Sequence, residues 1–126
     1  MDISTSQSAL NVFSLAQDIT ANNVANINTD GYKAKRLDVE SAPDGQGVRA
    51  QTIVESTEPG PLTNQIQPRE NNDGRIEQQE VITEGSNTEV SQEVTQMIKK
   101  ERGFEANAQV VRTYDQMAGV IIDMLV

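Results

Sequence analysis

The sequence predicts a mainly α protein, in which long N- and C-terminal helices pair as a coiled-coil-like inner domain with a small β and loop segment between them. Apolar residues recur at helical spacing near both ends of the chain. All four prolines and six of the eight glycines lie in residues 31–86. We therefore expect residues 1–30 and 87–126 to form one discontinuous helical assembly domain, and residues 31–86 to form an outer segment of loops and short strands.

The N-terminal region predicts an amphipathic helix that ends near Asn26. Asp2 or Ser4 is expected to cap its start. Asn23 lies within the apolar face, where a buried amide needs hydrogen-bond partners. It either bonds to nearby backbone or fixes the register against another helix. The apolar face consists of Ala9, Val12, Phe13, Ala16, Ile19, Val24 and Ile27.

The C-terminal region predicts a second helix, over residues 88–125, with a capping box in Ser86-Asn87-Thr88-Glu89. At about 1.5 Å per residue it would be about 57 Å long, which is too long to be buried inside a compact domain of this size. Its apolar series alternates steps of four and three, and is interrupted only at Glu101 and Asp115. The series runs Val90, Val94, Met97, Glu101, Phe104, Ala108, Val111, Asp115, Ala118, Ile122, Leu125.

Two short strands are expected in the middle, over residues 47–57 and 74–84, with loops over residues 58–61 and 65–72. The stretch from Asn71 to Glu80 partly follows a calcium-loop pattern. Arg69, however, occupies the first ligand position, where a carboxylate is needed. We therefore predict a plain Asp-Gly turn and no metal or other cofactor.

Composition excludes several classes of function. The chain has 10 basic and 19 acidic residues, a formal charge of −9, and neither histidine nor cysteine. The commonest zinc and haem ligands and the usual general base are therefore missing, and we expect no enzyme and no small-molecule substrate. The acidic balance argues against nucleic acid, and the absence of an 18-residue apolar run argues against membrane insertion. Residues 1–30 contain no Lys or Arg, so no cleaved signal peptide is predicted.

Protein is the remaining class of partner. Two paired helices would leave part of the longer apolar stripe uncovered, so we expect either helical stacking of subunits or, alternatively, a soluble helical adaptor that binds one protein partner. Light scattering at several concentrations distinguishes open-ended stacking from a fixed stoichiometry. The expected assembly interface consists of Leu10, Phe13, Asn23, Val24, Ile27, Val94, Met97, Phe104, Val111, Ile122 and Leu125.

The two ends of the chain also resemble a known family. Residues 21–33 (ANNVANINTDGYK) resemble the N-terminal signature of bacterial flagellar basal-body rod proteins. Residues 85–90 (GSNTEV) and the segment from Met97 to Asn107, which contains RGFEAN, look like the family's C-terminal block, and residues 113–117 continue it. The two matches occur in the order that the family shows.

The resemblance implies a structural subunit of the flagellar rod. Its terminal helices would pair as the inner domain, transmit torque and surround the export conduit. Its partners would be other copies of itself, other rod subunits and the flagellar type III export apparatus. Its location would be the rod of the basal body in the periplasmic space, reached without a cleaved signal peptide. Because only about 56 residues separate the two blocks, proximal-rod subunits are the most similar type.

Overall fold

A computed structural model describes residues 3–126 of the chain. Its four strands form two separate two-stranded antiparallel sheets, which we call the first hairpin (β1–β2) and the second hairpin (β3–β4). The elements follow one another as α1 (Ser4–Ala25), β1 (Lys35–Ser41), β2 (Val48–Glu55), β3 (Leu62–Glu70), β4 (Ile76–Glu84) and α2 (Val90–Leu125).

The prediction of a mainly α protein is wrong, because the structure is mixed α/β: 47% of residues 3–126 are in helices and 27% are in strands. Both terminal helices are present, and each lies within two residues of its predicted bounds. The two predicted strands are also present, as β2 and β4. The error comes from β1 and β3, for which the sequence predicts no strand.

Strand β3 lies across the predicted loop of residues 65–72. Its sequence, LTNQIQPRE, is polar and contains Pro68, which normally argues against a strand. In a two-stranded sheet every strand is an edge strand, where proline is tolerated. The hairpin turn supports the pairing, because Asn71 Oδ1 accepts hydrogen bonds from the backbone N–H groups of Asp73 (3.1 Å) and Arg75 (3.0 Å). Gly74 supplies the positive φ, +76°, that this turn requires.

The predicted helix caps also differ from the structure. The N-cap of α2 is Glu89, which makes no side-chain capping hydrogen bond. The Ser86 hydroxyl is instead engaged with Thr88, since it donates to Thr88 Oγ1 (2.9 Å) and accepts from the Thr88 N–H (3.1 Å). Ser4 is the first helical residue of α1 and not its cap, which is Ile3. Asp2 lies outside the described residues.

The two helices pack antiparallel in a single register. Phe13 lies against Gly103 at one point of the interface. Asn23 is hydrogen-bonded to Glu93 at another. The residue number thus rises by ten along α1 while it falls by ten along α2. Because the two contacts are ten residues apart on each helix, they belong to the same register of α1 on α2.

The packed core is thin and belongs to α1. The only buried apolar side chains among residues 3–126 are Val12, Ala16 and Ile19, whereas α2 has no buried residue. Helix α1 is covered by α2 and by the first hairpin. The Ser8 hydroxyl fixes that hairpin by accepting a hydrogen bond from the Val48 N–H (3.2 Å). Helix α1 is therefore the central layer of the fold.

The second hairpin stands apart from this layer. Within the part of the chain that the structure describes, β3 and β4 pack against no other helix or strand. Four large apolar side chains of this hairpin are 68–75% exposed: Leu62, Ile66, Ile76 and Ile82. The hairpin therefore adds no apolar core to the helix pair.

Gly103 leaves room for the Phe13 ring against α2. A Cβ atom built at this position would lie 2.5 Å from Cζ of Phe13. Real Cβ atoms do not approach other atoms so closely, so the aromatic ring occupies the space that any larger residue would need. Glycine is disfavoured in a helix by about 1 kcal/mol relative to alanine, and the contact with Phe13 explains why it is suited to this position.

We predict that Gly103→Ala destabilises the helix pair. Overpacking costs about 1–3 kcal/mol, which exceeds the gain in helix propensity. The measurement is urea unfolding followed by circular dichroism. Gly119→Ala is the matched control, because a Cβ there meets no atom within 4 Å, and it should increase the helical signal. Equal stabilisation by both substitutions would contradict the proposed contact, whereas Phe13→Leu should rescue Gly103→Ala.

Candidate assembly interface

Asn23 lies at the point where α1, β1 and α2 meet. Its side-chain Nδ2 donates to the carbonyl oxygen of Lys35 (2.7 Å) and to Oε1 of Glu93 (3.1 Å). Its Oδ1 accepts from the Tyr32 hydroxyl (2.9 Å) and from the Lys35 N–H (2.9 Å). The residue is 1% exposed, and its amide group uses two donors and two acceptor sites. Both alternatives considered for Asn23, a backbone contact and a contact with another helix, therefore occur within one chain.

Tyr32 supports this network from the connection between α1 and β1. Burial raises the pKa of its phenol above the ordinary value, and the negative charges of Glu93 and Glu55 raise it further. The hydroxyl therefore stays protonated and can donate to Asn23. The same oxygen accepts a hydrogen bond from Nδ2 of Asn22 (3.2 Å).

A second polar contact crosses the helix interface at Lys100. Its ammonium group donates to the carbonyl oxygen of Ala16 (3.2 Å) and to the Thr20 hydroxyl (2.5 Å). Burial lowers the pKa of this amine, while the negative charge of Glu93 acts in the opposite direction. Thr20 is 1% exposed. The two helices are therefore held by specific polar contacts in addition to apolar packing.

An open groove of about 620 Å³ lies between α1 and α2, and Lys100 is one of the residues that line it. Its apolar surface comes from Phe13, Met97 and Phe104. Phe104 is 43% exposed and thus only partly covered by the chain itself. The carboxylates that line the groove belong to Asp18, Glu101 and Glu105.

The largest uncovered apolar surface lies at the end of α2. The register of the helix pair places Ser4, where α1 begins, opposite Arg112. Helix α2 continues to Leu125, so about 20 Å of it extends past α1 at about 1.5 Å per residue. We call residues 113–125 the α2 extension. Its exposed large apolar residues are Met117, Val120, Ile121, Ile122, Met124 and Leu125, which are 51–82% accessible.

The residues predicted to form the interface fall in several environments. Phe13 and Asn23 are engaged inside the helix pair. Met97 and Phe104 line the groove, and Val94, on the same helix, is 44% exposed. The remaining residues are half-buried at Leu10, Val24, Ile27 and Val111, and exposed on the α2 extension at Ile122 and Leu125. The interface as a whole remains a prediction.

A polar junction that the sequence pattern does not predict joins the second hairpin to the rest of the fold. The Glu84 carboxylate accepts hydrogen bonds from the Lys33 ammonium group and from the Gly60 N–H (2.7 Å). The Gly31 N–H donates to the backbone oxygen of Glu84 (2.8 Å). Lys33 and Glu84 are 51 residues apart, so no local pattern could have linked them.

Residues 3–126 contain neither a metal-binding cluster of acidic side chains nor a membrane-spanning helix. No group of three or more acidic side chains there is arranged to hold a metal ion. Neither α1 nor α2 combines the length and the apolar character that crossing a bilayer requires.

We predict that Asn23→Leu strongly destabilises the fold. The substitution keeps a similar volume but leaves the Lys35 N–H and the Tyr32 hydroxyl without their acceptor, and each unsatisfied buried group costs about 1–3 kcal/mol. Asn11→Leu is the matched control, because Asn11 is an exposed asparagine of the same helix, and its effect should be well below 1 kcal/mol. The free energy of unfolding in urea measures both variants, and equal losses would contradict the central role of Asn23.

We also predict that acid weakens the fold through Glu84. The hydrogen bonds from Lys33 and Gly60 lower the pKa of this carboxyl below its ordinary value of 4.5. Its contribution to stability is therefore present above about pH 4.5 and is lost as the pH falls through the lowered pKa. Glu84→Gln should be less stable at pH 7 and should lose less stability between pH 5 and pH 3. The exposed residue Glu58, changed to Gln, serves as the control in the same thermal unfolding series.

Comparison with known protein families finds a match at each end of the chain. Residues 3–33 match the family described as flagella basal body rod protein. Residues 78–124 match the family described as flagellar basal body rod FlgEFG protein C-terminal. A search of curated protein sequences finds no match. The two family matches indicate a structural protein of the flagellar basal-body rod type, which is a class of structural components and not of enzymes.

Proposed function

We propose that the chain, as a structural protein of the flagellar basal-body rod type, is a subunit of the proximal rod and is most similar to the subunit called FlgC. Copies would assemble helically with one another and with other rod subunits. The packed helices would transmit torque and surround the conduit through which later subunits are exported. The proximal rod is favoured over the distal rod and hook because the segment between the two helices is short.

The observation that carries this proposal is the α2 extension. Full burial of one Leu, Ile or Met side chain is worth about 1.5–3 kcal/mol. The extension leaves six such large apolar side chains more than half exposed on a single helical segment. The first hairpin packs along α1 and the second hairpin contacts no helix, so neither of them covers it. Neighbouring subunits are the proposed cover.

The thin core suits a protein that is exported before it assembles. Only Val12, Ala16 and Ile19 are buried apolar residues within residues 3–126, so a single copy gains little stability from its own packing. Such a chain would pass through the type III export apparatus in an unfolded form and complete its packing against neighbours in the rod. Export would require no cleaved signal peptide.

The polar contacts of Asn23 and Lys100 determine which surface is available for assembly. They fix the register of α1 on α2, and the register determines which residues of α2 project past α1. We propose that the groove beside Phe104 and the α2 extension together form the surface that contacts neighbouring subunits. Val94 and Leu125 would lie at the two ends of this surface.

We predict that Ile122→Asp abolishes incorporation into the rod and abolishes motility. Ile122 is 61% exposed, so the substitution should leave the fold of one copy unchanged while it places a charge in the proposed interface. Phe104→Asp should have the same effect. The measurements are swimming in soft agar and detection of the chain in purified basal bodies from the bacterium that encodes it.

Gln109→Asp is the matched control, because Gln109 is an exposed polar residue of the same helix. It should swim normally. Normal swimming of Ile122→Asp and Phe104→Asp would overturn the proposal. A complex of fixed 1:1 stoichiometry with one partner outside the flagellum would instead identify a helical adaptor.

A further inference from the structure

One face of the second hairpin is apolar and acidic. Residues two apart along a strand share a face, and the register pairs Leu62 with Glu84 and Glu70 with Ile76. The same face therefore carries the four exposed apolar side chains of this hairpin. It also carries Glu70, Glu80 and Glu84, of which Glu84 is paired with Lys33, and it has no lysine or arginine of its own. We call it the apolar–acidic face, and it consists of Leu62, Asn64, Ile66, Pro68, Glu70, Ile76, Gln78, Glu80, Ile82 and Glu84.

The apolar side chains of this face are expected to be buried against another surface. A two-stranded hairpin without further packing is marginally stable at best in water. The four apolar side chains are 68–75% exposed, and within residues 3–126 the hairpin packs against neither helix. Residues 62–84 contain five acidic residues and two arginines, so the hairpin carries a net charge of −3 out of the −9 of the whole chain. A surface that covers it must be partly apolar and must supply positive charge.

The same chain presents such a surface in a cleft of about 610 Å³ between β1 and α2. Lys35, Arg36 and Lys100 line the cleft, together with the apolar side chain of Leu37. Glu93 is the one carboxylate in the lining, and one of its oxygens accepts a hydrogen bond from Asn23. The cleft is therefore net positive in a chain whose overall charge is −9.

Two of these cations are available to a partner. Among the residues that the structure describes, Lys35 takes part in none of the three ion pairs. Arg36 pairs with Asp38 (3.2 Å), but its side chain is 73% exposed and can reach a second carboxylate.

We propose that the second hairpin of one copy docks, through its apolar–acidic face, in the cleft between β1 and α2 of another copy. Glu70 and Glu80 would face Lys35 and Arg36, and the exposed apolar residues would cover Leu37. The contact joins two different surfaces, so each copy offers one hairpin and one cleft, and the association continues from copy to copy. This inference rests on the proposed self-assembly and names the surfaces that carry it.

Charge reversal on both surfaces tests the docking. Glu80→Lys and Arg36→Glu should each weaken self-association about tenfold, because each places like charges opposite one another. An equimolar mixture of the two variants should recover the association of the unmodified chain, since every hairpin then meets a cleft of opposite charge. Sedimentation velocity at several protein concentrations, in low and in high salt, measures the effect.

Two matched controls lie on the opposite face of the second hairpin. Glu77→Lys and Arg69→Glu make the same charge changes there and should associate like the unmodified chain. The docking is overturned if Glu80→Lys and Arg36→Glu associate normally, if their mixture does not recover, or if the unmodified chain stays monomeric throughout. The basal-body experiment with Ile122→Asp tests the proposed function separately. Failure of the docking proposal therefore does not imply failure of the proposed function, and the reverse also holds.

Discussion

The fold depends on one satisfied amide. Asn23 is almost completely buried, and its side chain bonds to α2, to the first residue of β1 and to the connection between α1 and β1. A buried amide is costly without partners, so the three elements can meet only in the arrangement that provides all four hydrogen bonds. An apolar residue at the same place would tolerate sliding of one helix on the other. The polar centre therefore supplies specificity that the small apolar core cannot supply.

The register of the helices then determines what the molecule exposes. Phe13 against Gly103 and Asn23 against Glu93 fix the same offset, and this offset leaves the α2 extension without a partner in its own chain. The fold thus combines a defined helix pair with an apolar surface that one copy cannot cover. The part of α2 that faces α1 thus stabilises a single copy, and the α2 extension is the part that would contact neighbouring copies in the proposed assembly.

The sequence predicted the elements that have a clear period and missed those that depend on distant partners. Helices α1 and α2 were found because their apolar stripes repeat over many residues. Strand β3 was missed because its residues are mostly polar and its stability comes from backbone pairing with β4. The predicted capping box does not form, because the Ser86 hydroxyl bonds to Thr88. The partners of Asn23 lie 9, 12 and 70 residues away along the chain, so the sequence could indicate that the amide needs partners but not which ones.

The separation of the second hairpin from both helices has a consequence for how such a chain can vary. The hairpin turn at residues 71–75 lies at the end of two strands that pack against no other helix or strand in residues 3–126. Extra residues inserted in this turn would leave the contacts of Asn23, Lys100 and Gly103 unchanged. A larger outer module can therefore be added at this place while the helical base stays the same, and proteins of very different length can share one inner architecture.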